Sequence, residues 1–223
     1  MQRASHQEQV QRTELLSRRV ETLSKLLEAN KELSPDQPIA ESMEAIAYAI
    51  QDATPFNIVL ISLFDPAQQL LVRVTGAGIP LDTMHELRQK TQSWSNIMQL
   101  CTDEFRYSQS YMIPFEQRRV DPVELHLHVV QTMPTRVSEQ PVTEQSWHPQ
   151  DMLLVPLFDS TAHPLGLISV DNPRNGMRPD RATIEALEVF ASQAALTLLK
   201  WSQPLSQALP SNQGLGVSIA CIS

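Results

Sequence analysis

The sequence has few cysteines, few glycines and no long apolar run, and each shortage excludes a class of protein. Two cysteines in 223 residues, Cys101 and Cys221, fit a reducing cytoplasm, where we expect the protein to be located. Six glycines leave little room for the glycine-rich loops that bind phosphates. The longest apolar runs, residues 58–64 and 152–158, are far shorter than the ~20 residues of a membrane-spanning helix. We therefore expect a soluble protein with no membrane span.

Clusters of basic residues are also missing. The formal net charge is −8 and at most two Lys or Arg residues stand side by side, so we expect no nucleic-acid partner. Catalytic motifs are absent in the same way: the sequence contains no Gly-x-Ser-x-Gly, Gly-x-x-x-x-Gly-Lys, His-Glu-x-x-His or Cys-x-x-Cys. We accordingly assign no catalytic residue and predict that the protein is not an enzyme.

The N-terminal part of the chain has the pattern of a helical stalk. Residues 7–33 contain neither Pro nor Gly, and the 4-3-4 spacing of a coiled coil is formed by Leu16, Val20, Leu23 and Leu27. We interpret residues 1–34 as a stalk that dimerises; the alternative is an amphipathic helix that packs on its own domain. Pro35 and Pro38 end the helix and mark a domain boundary.

Residues 39–201 have the pattern of one α+β domain. Apolar spacing predicts a helix over 39–53, one or two helices within 81–100, a strand over 107–113, and two hairpins formed by residues 57–64 with 70–75 and 152–158 with 165–170. Between the predicted strand at 107–113 and the second hairpin, we expect residues 114–149 to form a long irregular segment with one edge strand, at 125–129. A last helix is predicted from the N-cap Asp180 to about Trp201, with the apolar stripe Ile184, Leu187, Ala191, Ala194, Leu198 and Trp201. Residues 202–223 lack periodicity and predict a disordered tail.

Three segments of this domain resemble a GAF domain. Residues 40–65 (AESMEAIAYAIQDATPFNIVLISLFD) are similar to the first helix and strand of that family, and residues 147–173 (WHPQDMLLVPLFDSTAHPLGLISVDNP) to its last hairpin. Residues 178–195 (RPDRATIEALEVFASQAA) resemble its closing helix. The combination of Trp-x-Pro-x-Asp, Val-Pro-Leu and Gly-Leu-Ile-Ser-Val-Asp is the most specific part, and it resembles the GAF domains of bacterial histidine kinases and diguanylate cyclases.

This resemblance implies a six-stranded antiparallel sheet with the first and last helices on one face and a pocket on the other. It further implies a sensory module that binds an unidentified small molecule and relays its state through the terminal helices of a homodimer to a histidine kinase or other signalling protein. Two alternatives stay open. One is a ligand-free dimerisation or interaction module, and the other is an enzyme of the free methionine sulfoxide reductase type.

Six residues are candidates for the pocket by their position in the family pattern: Trp94, Ile97, Phe105, Tyr107, Tyr111 and Asp171. Aromatic rings in such a cleft stack on planar ligands, although the simpler interpretation of Trp94 and Phe105 is that they fill the core. Tyr107 and Tyr111 would share one face of a strand. Asp171 would either orient a ligand donor or form a turn with Asn172 and Pro173.

Other cofactors of this family have weaker support in the sequence. Phytochrome-type GAF domains attach a bilin to a cysteine that His usually follows, whereas Thr102 follows Cys101, which favours a buried structural thiol. The Asn-Lys-Phe-Asp-Glu signature of cyclic-nucleotide-binding members is absent. His126, His128 and His148 lack the tight spacing of a zinc site, and we expect the two histidines of the edge strand, His126 and His128, to face solvent.

Overall fold

Seven strands form one antiparallel sheet in the part of the chain that the computed structural model describes, residues 39–118 and 143–202. The elements are α1 Ile39–Ala53, β1 Phe56–Asp65, β2 Leu70–Ala77, α2 Leu81–Arg88, β3 Gln92–Ser93, α3 Trp94–Leu100, β4 Arg106–Tyr107, β5 Ser110–Ile113, β6 Met152–Phe158, β7 Pro164–Pro173 and α4 Arg181–Ser202. The strand order is β3-β2-β1-β7-β6-β5-β4. The predicted α+β class is confirmed. The sheet has seven strands where six were expected; β3 and β4 contain two residues each, too few to leave a pattern in the sequence.

The main core lies between one face of the sheet and the helices α1 and α4. The bounds of α1 agree with the predicted helix, and its stripe packs against α4 as well as against β1 and β2. Side chains with no exposed surface fill this layer: Met43, Ile46, Ile50, Val59, Ile61, Val155, Ile168, Leu187, Phe190 and Ala194. Burial of each large apolar side chain contributes about 1.5–3 kcal/mol, so this layer stabilises the domain and fixes both helices to the sheet.

A second apolar cluster covers part of the opposite face. It joins α3 and the 3-10 turn Asp103–Phe105 to the outward residues of the strands, and consists of Leu71, Ile97, Leu100, Phe105, Ile113, Leu154 and Leu167. Alternation along β1 explains how one strand serves both clusters, since Val59 and Ile61 face the helices while Leu60 faces the other way. The second face is the one that the family pattern reserves for a pocket.

A β-bulge changes the direction of the side chains along β2. Ile61 pairs with Thr75 but the next residue, Ser62, pairs with Arg73, so Val74 has no partner on β1. Residues opposite each other in a ladder share a face. Thr75 therefore lies on the helix side with Ile61, whereas Arg73 lies on the other face with Ser62.

Three local predictions are wrong. Residues 107–113 are not one strand but a tight β4–β5 hairpin, in which Ser108 takes a positive φ of 51° and Tyr107 pairs with Ser110. Asp171, Asn172 and Pro173 are the last residues of β7 and not a turn; the chain turns directly after them. The strand predicted over residues 70–75 continues through Gly76 to Ala77.

The predicted last helix is confirmed as α4. Asp180 caps it, because its carboxylate accepts a hydrogen bond from the Thr183 amide at 2.8 Å. By length and composition Arg181–Trp201 is apolar enough to cross a membrane, with a mean hydropathy of 1.3. Its inner stripe is buried against the sheet and α1, and such composition is usual for a core helix. Trp201, predicted on that stripe, is 41% exposed.

The predicted stalk, residues 1–34, and the edge strand at 125–129 lie outside the described residues. The predicted tail starts at Ser202, the last residue of α4, and the remainder of it also lies outside them.

Candidate functional site

A cavity of about 70 Å³ lies on the sheet face opposite α1 and α4. Its apolar wall comes from α3 and from strands β1, β6 and β7: Ile97, Ile58, Leu60, Met152, Leu154 and Leu167, together with Leu153 and Val170, which also belong to the main core. Five polar residues complete the lining: Arg73, Gln92, Asp151, Ser169 and Asp171. Ligand sites of proteins usually combine an apolar wall with a few convergent polar groups, which is the composition seen here.

Arg73 supplies a buried cation to this cavity. The side chain is only 2% exposed, and its Nη1 donates hydrogen bonds to the carbonyl oxygens of Leu87, at 3.4 Å, and Lys90. Burial lowers the pKa of the guanidinium to about 10, which leaves it charged at neutral pH. Arg73 lies on this face with its partner Ser62 and with Leu71, two residues before it, and the two carbonyls hold it there.

Asp171 connects the cavity to the segment 143–151, which we call the strap. The Asp171 Oδ1 accepts hydrogen bonds from the Trp147 indole Nε1 at 3.0 Å and from the Asn172 amide at 2.6 Å. The Trp147 ring also packs edge-on against Phe56, with ring centroids 5.8 Å apart. Trp147 thus contacts the cavity wall through its nitrogen and the main core through its ring.

Asp151, at the end of the strap, forms an ion pair with Arg178. The distance from Arg178 Nε to Asp151 Oδ2 is 2.8 Å, and the Asp151 side chain has no exposed surface. Arg178 also bonds to Glu116 on the far side, at 2.7 Å. A hydrogen bond from Arg178 lowers the pKa of Glu116 to about 2. In turn, hydrogen bonds to Glu116, the larger cause, and to Asp151 raise the pKa of Arg178. Glu116 and Arg178 are therefore both charged at neutral pH.

The comparisons with known proteins agree with this architecture. The family model of the GAF domain matches residues 38–198, well over half of the chain. The chain belongs to the GAF domain family. A search of curated proteins found no match.

Solved GAF structures have the same fold at low sequence identity. The GAF domain of a phosphoenolpyruvate-protein phosphotransferase from Coxiella burnetii gives a TM-score of 0.53 at 10% identity, covering 81% of this chain and 94% of that chain. A GAF domain/HD domain protein from Geobacter sulfurreducens gives 0.51 at 13% identity, covering 72% and 92%. The chromophore-binding domain of Stigmatella aurantiaca phytochrome P1 gives 0.51 at 16%, covering 81% and 59%. At such identities the likeness shows the fold alone.

Within this GAF domain, two of the six predicted pocket residues line the cavity: Ile97 and Asp171. Trp94 and Phe105 belong to the apolar cluster beside it. Trp94 contacts Phe64 and Phe158 with centroid distances of 5.5 and 5.7 Å, the packing expected of a core residue. Neither ring is among the residues that line this cavity, although their cluster shares Ile97, Leu154 and Leu167 with the lining.

The two tyrosines do not share a strand face. Tyr111 packs at the edge of the second apolar cluster, and burial raises the pKa of its hydroxyl. Tyr107 pairs with Ser110, which contacts α4, so Tyr107 lies on the helix side of the sheet and is 52% exposed. The two-residue turn of the β4–β5 hairpin places Tyr107 opposite Ser110 and Arg106 opposite Tyr111, so the two tyrosines lie on opposite faces of the sheet.

Cys101 is half-buried beside the second apolar cluster, and burial raises the pKa of its thiol to about 12. His148 stacks on Phe115 with centroids 4.4 Å apart. Among the described residues no group of His, Cys, Asp or Glu has metal-binding geometry, while His126 and His128 lie outside them.

Sequence reasoning missed the polar lining residues Arg73, Gln92, Asp151 and Ser169. An arginine in a strand ordinarily indicates a solvent-facing position, whereas here the carbonyl oxygens of Leu87 and Lys90 accept hydrogen bonds from the buried guanidinium. Asp151 carried one signal, since it is the aspartate of the Trp-x-Pro-x-Asp motif that supported the family resemblance.

Proposed function

We propose that this GAF domain is a sensory module that binds a small carboxylate or other oxyanion in the cavity and relays its presence through α1 and α4 in a homodimer. The buried cation in the cavity wall is the observation that carries the proposal. A guanidinium matches the planar geometry of carboxylates and oxyanions, and a charge-assisted hydrogen bond is strong where water is largely excluded. Ser169 and Gln92 add hydrogen-bonding groups to the same wall.

The size of the cavity limits the ligand. Sites for drug-sized molecules occupy roughly 300–1,000 Å³, whereas this cavity has about 70 Å³. The occupant therefore has only a few non-hydrogen atoms in this conformation, which suits acetate or formate better than a nucleotide or a tetrapyrrole.

The experiment combines native mass spectrometry with binding titrations of the full chain. Native mass spectrometry detects a co-purified ligand and the oligomeric state together. Calorimetric titration with acetate, formate and phosphate, against neutral acetamide, then tests the charge requirement. We expect at least one anion to bind and acetamide not to bind.

Arg73→Met is the decisive variant, and Arg88→Met is its matched control. Arg88 also bonds to β2, since its Nε and Nη2 donate to the Val74 carbonyl at 3.1 and 2.8 Å, but it does not line the cavity. Loss of a hydrogen bond to a charged group costs about 1.5–3 kcal/mol, so Arg73→Met should weaken anion binding at least about tenfold. Arg88→Met should change it less than about twofold. Equal affinity in Arg73→Met and the wild type would refute the anion site.

A second candidate, a ligand-free dimerisation module, is favoured by exposed apolar residues on α4. Val189 is 39% exposed and Leu196 is 55% exposed, and these residues lie seven positions apart on one helix face. A dimer that carries no co-purified mass and binds none of the anions would favour this function over sensing.

We further propose that the domain is not an enzyme. A thiol with a pKa of about 12 contains almost no thiolate at neutral pH, so Cys101 is a poor nucleophile. Turnover of free methionine sulfoxide that is lost in Cys101→Ser would overturn this proposal. Signalling to a histidine kinase or similar output protein in the cytoplasm is the cellular context that we propose.

A further inference from the structure

One guanidinium joins three separate segments at the end of the sheet. Arg178 Nε and Nη2 donate to the two oxygens of Asp151 at 2.8 and 3.0 Å. Its Nη1 and Nη2 also donate to the two oxygens of Glu116, at 2.7 Å each, and Nη1 reaches the carbonyl of Glu144 at 2.8 Å. The residues after β5, the strap and the residues that lead into α4 are thereby held together.

Asp151 is fixed from every side. Besides the two bonds from Arg178, it accepts hydrogen bonds from the backbone amides of Phe115 at 2.8 Å and His148 at 2.9 Å. A carboxylate has about four acceptor sites, so these four donors occupy the group. Asp151 lines the cavity, yet its carboxylate serves to position the wall and not to bind the ligand.

Asp151 and Arg178 lie just before the first residues of β6 and α4, respectively. Asp151 directly precedes β6, whose residues Met152, Leu153 and Leu154 line the cavity. Arg178 lies three residues before the first residue of α4, and Asp180 between them caps that helix. The ion pair therefore links the start of β6 directly to the residues that lead into α4, beside the backbone hydrogen bonds from Trp147 to Gly176 and from Arg178 to Gln145.

This ion pair transmits force better than an exposed pair would. Its two parallel N–H···O bonds fix distance and orientation together. Separation of the partners would leave a buried carboxylate without its counterion, which is strongly unfavourable. The two groups therefore move as one unit.

We propose that Asp151 and Arg178 form a joint that transmits displacement of the cavity wall to the N-terminus of α4. Both are positioning residues. The mechanical connection stands without a ligand, whereas its part in signalling rests on the proposed function.

Hydrogen exchange of the full chain, without ligand, tests the joint. Arg178→Gln should raise amide exchange at least tenfold both in the strap, at His148, and in the first turn of α4, at residues 183–185. Glu116→Gln is the matched control, since it removes the outer partner of Arg178 and keeps Asp151, and it should change exchange less than threefold at both places. Faster exchange in the strap with an unchanged first turn of α4 would overturn the joint. Equal effects of both variants would overturn the assignment to Asp151.

Arg178→Lys covers the case in which Arg178→Gln does not fold. Lysine keeps the charge and loses the parallel pair of bonds. With acetate as the probe, the wild type should show slower exchange in β6 and in the first turn of α4, whereas Arg178→Lys should show it in β6 alone. Protection of α4 in Arg178→Lys equal to the wild type would refute the joint. If acetate does not bind to the wild type, the anion site fails, while the exchange comparison without ligand still decides the joint.

Discussion

Glu188 shows how a single buried residue connects two parts of the fold. It lies on α4 with 8% exposure, and its Oε1 accepts hydrogen bonds from the amides of Gln109 and Ser110 and from the Ser110 hydroxyl, at 2.8–2.9 Å. These donors belong to the turn of the β4–β5 hairpin and to the first residue of β5. The carboxylate therefore fastens the edge of the sheet to the helix, and no other side chain of the described residues is bonded to these two amides.

Glu188→Ala should lower the free energy of unfolding by about 2–4 kcal/mol, because the buried amide and hydroxyl of Ser110 would lose their acceptor. Glu188→Gln keeps an amide oxygen as acceptor and should lower the free energy of unfolding by about half as much. Glu185→Ala is the control on the same helix, since Glu185 forms an exposed pair with Arg181 at 3.0 Å. That pair is worth at most about 0.5 kcal/mol. Urea unfolding measures all three, and a loss in Glu188→Ala no larger than in Glu185→Ala would contradict the role of Glu188.

Among whole elements, the predicted and observed structures agree where the apolar pattern is long. The helix at Ile39–Ala53, the hairpin strands β1 with β2 and β6 with β7, and α4 all follow from periodicity and N-capping. The bulge at Val74 and the β4–β5 hairpin do not, because both depend on which strand lies alongside. The same limit applies to the site: Ile97 and Asp171 were found by family position, but Arg73 is buried only through its neighbours in the fold.

Two glycines at the ends of strands offer a direct test of backbone constraints. Gly78, just after β2, has a φ of +72°, and a Cβ there would lie 1.9 Å from the Asn57 carbonyl oxygen. Gly176, after β7, has a similar φ of +63° with open space around it. Gly176→Ala should lower stability by about 1 kcal/mol through the backbone conformation alone. Gly78→Ala should cost at least about 2 kcal/mol more, since strand β1 must also move. Equal melting temperatures of the two variants would contradict this difference.

At the scale of the molecule, the sheet separates two chemically distinct layers. The helix side is a packed apolar core, and the opposite side holds the cavity with its buried charges. Val189 and Leu196, on the outer face of α4, remain exposed, whereas the inner stripe from Ile184 to Leu198 is buried. This arrangement supports the proposal that α4 serves both the core of its own domain and a second copy of the chain.

Leu196→Glu should convert a dimer into a monomer, because it places a charge in the exposed apolar stripe of α4. Leu81→Glu is the control: Leu81 is 82% exposed at the start of α2, and this variant should remain dimeric. Size-exclusion chromatography with light scattering gives the mass of each. A monomeric wild type, or a dimer in Leu196→Glu, would reject this interface.

The unpaired Val74 gives β2 an unusual sensitivity to changes in chain length. Arg73 and Thr75 are two positions apart, as residues on the same side of a regular strand are, yet their partners Ser62 and Ile61 are adjacent and face opposite ways. Deletion of Val74 would restore an even ladder and make Arg73 and Thr75 neighbours on opposite faces of a regular strand. Loss of the single codon for Val74 is the smallest genetic change that removes the bulge. In a natural or engineered GAF domain that lacks this residue, the first question is therefore which face of the sheet carries the arginine.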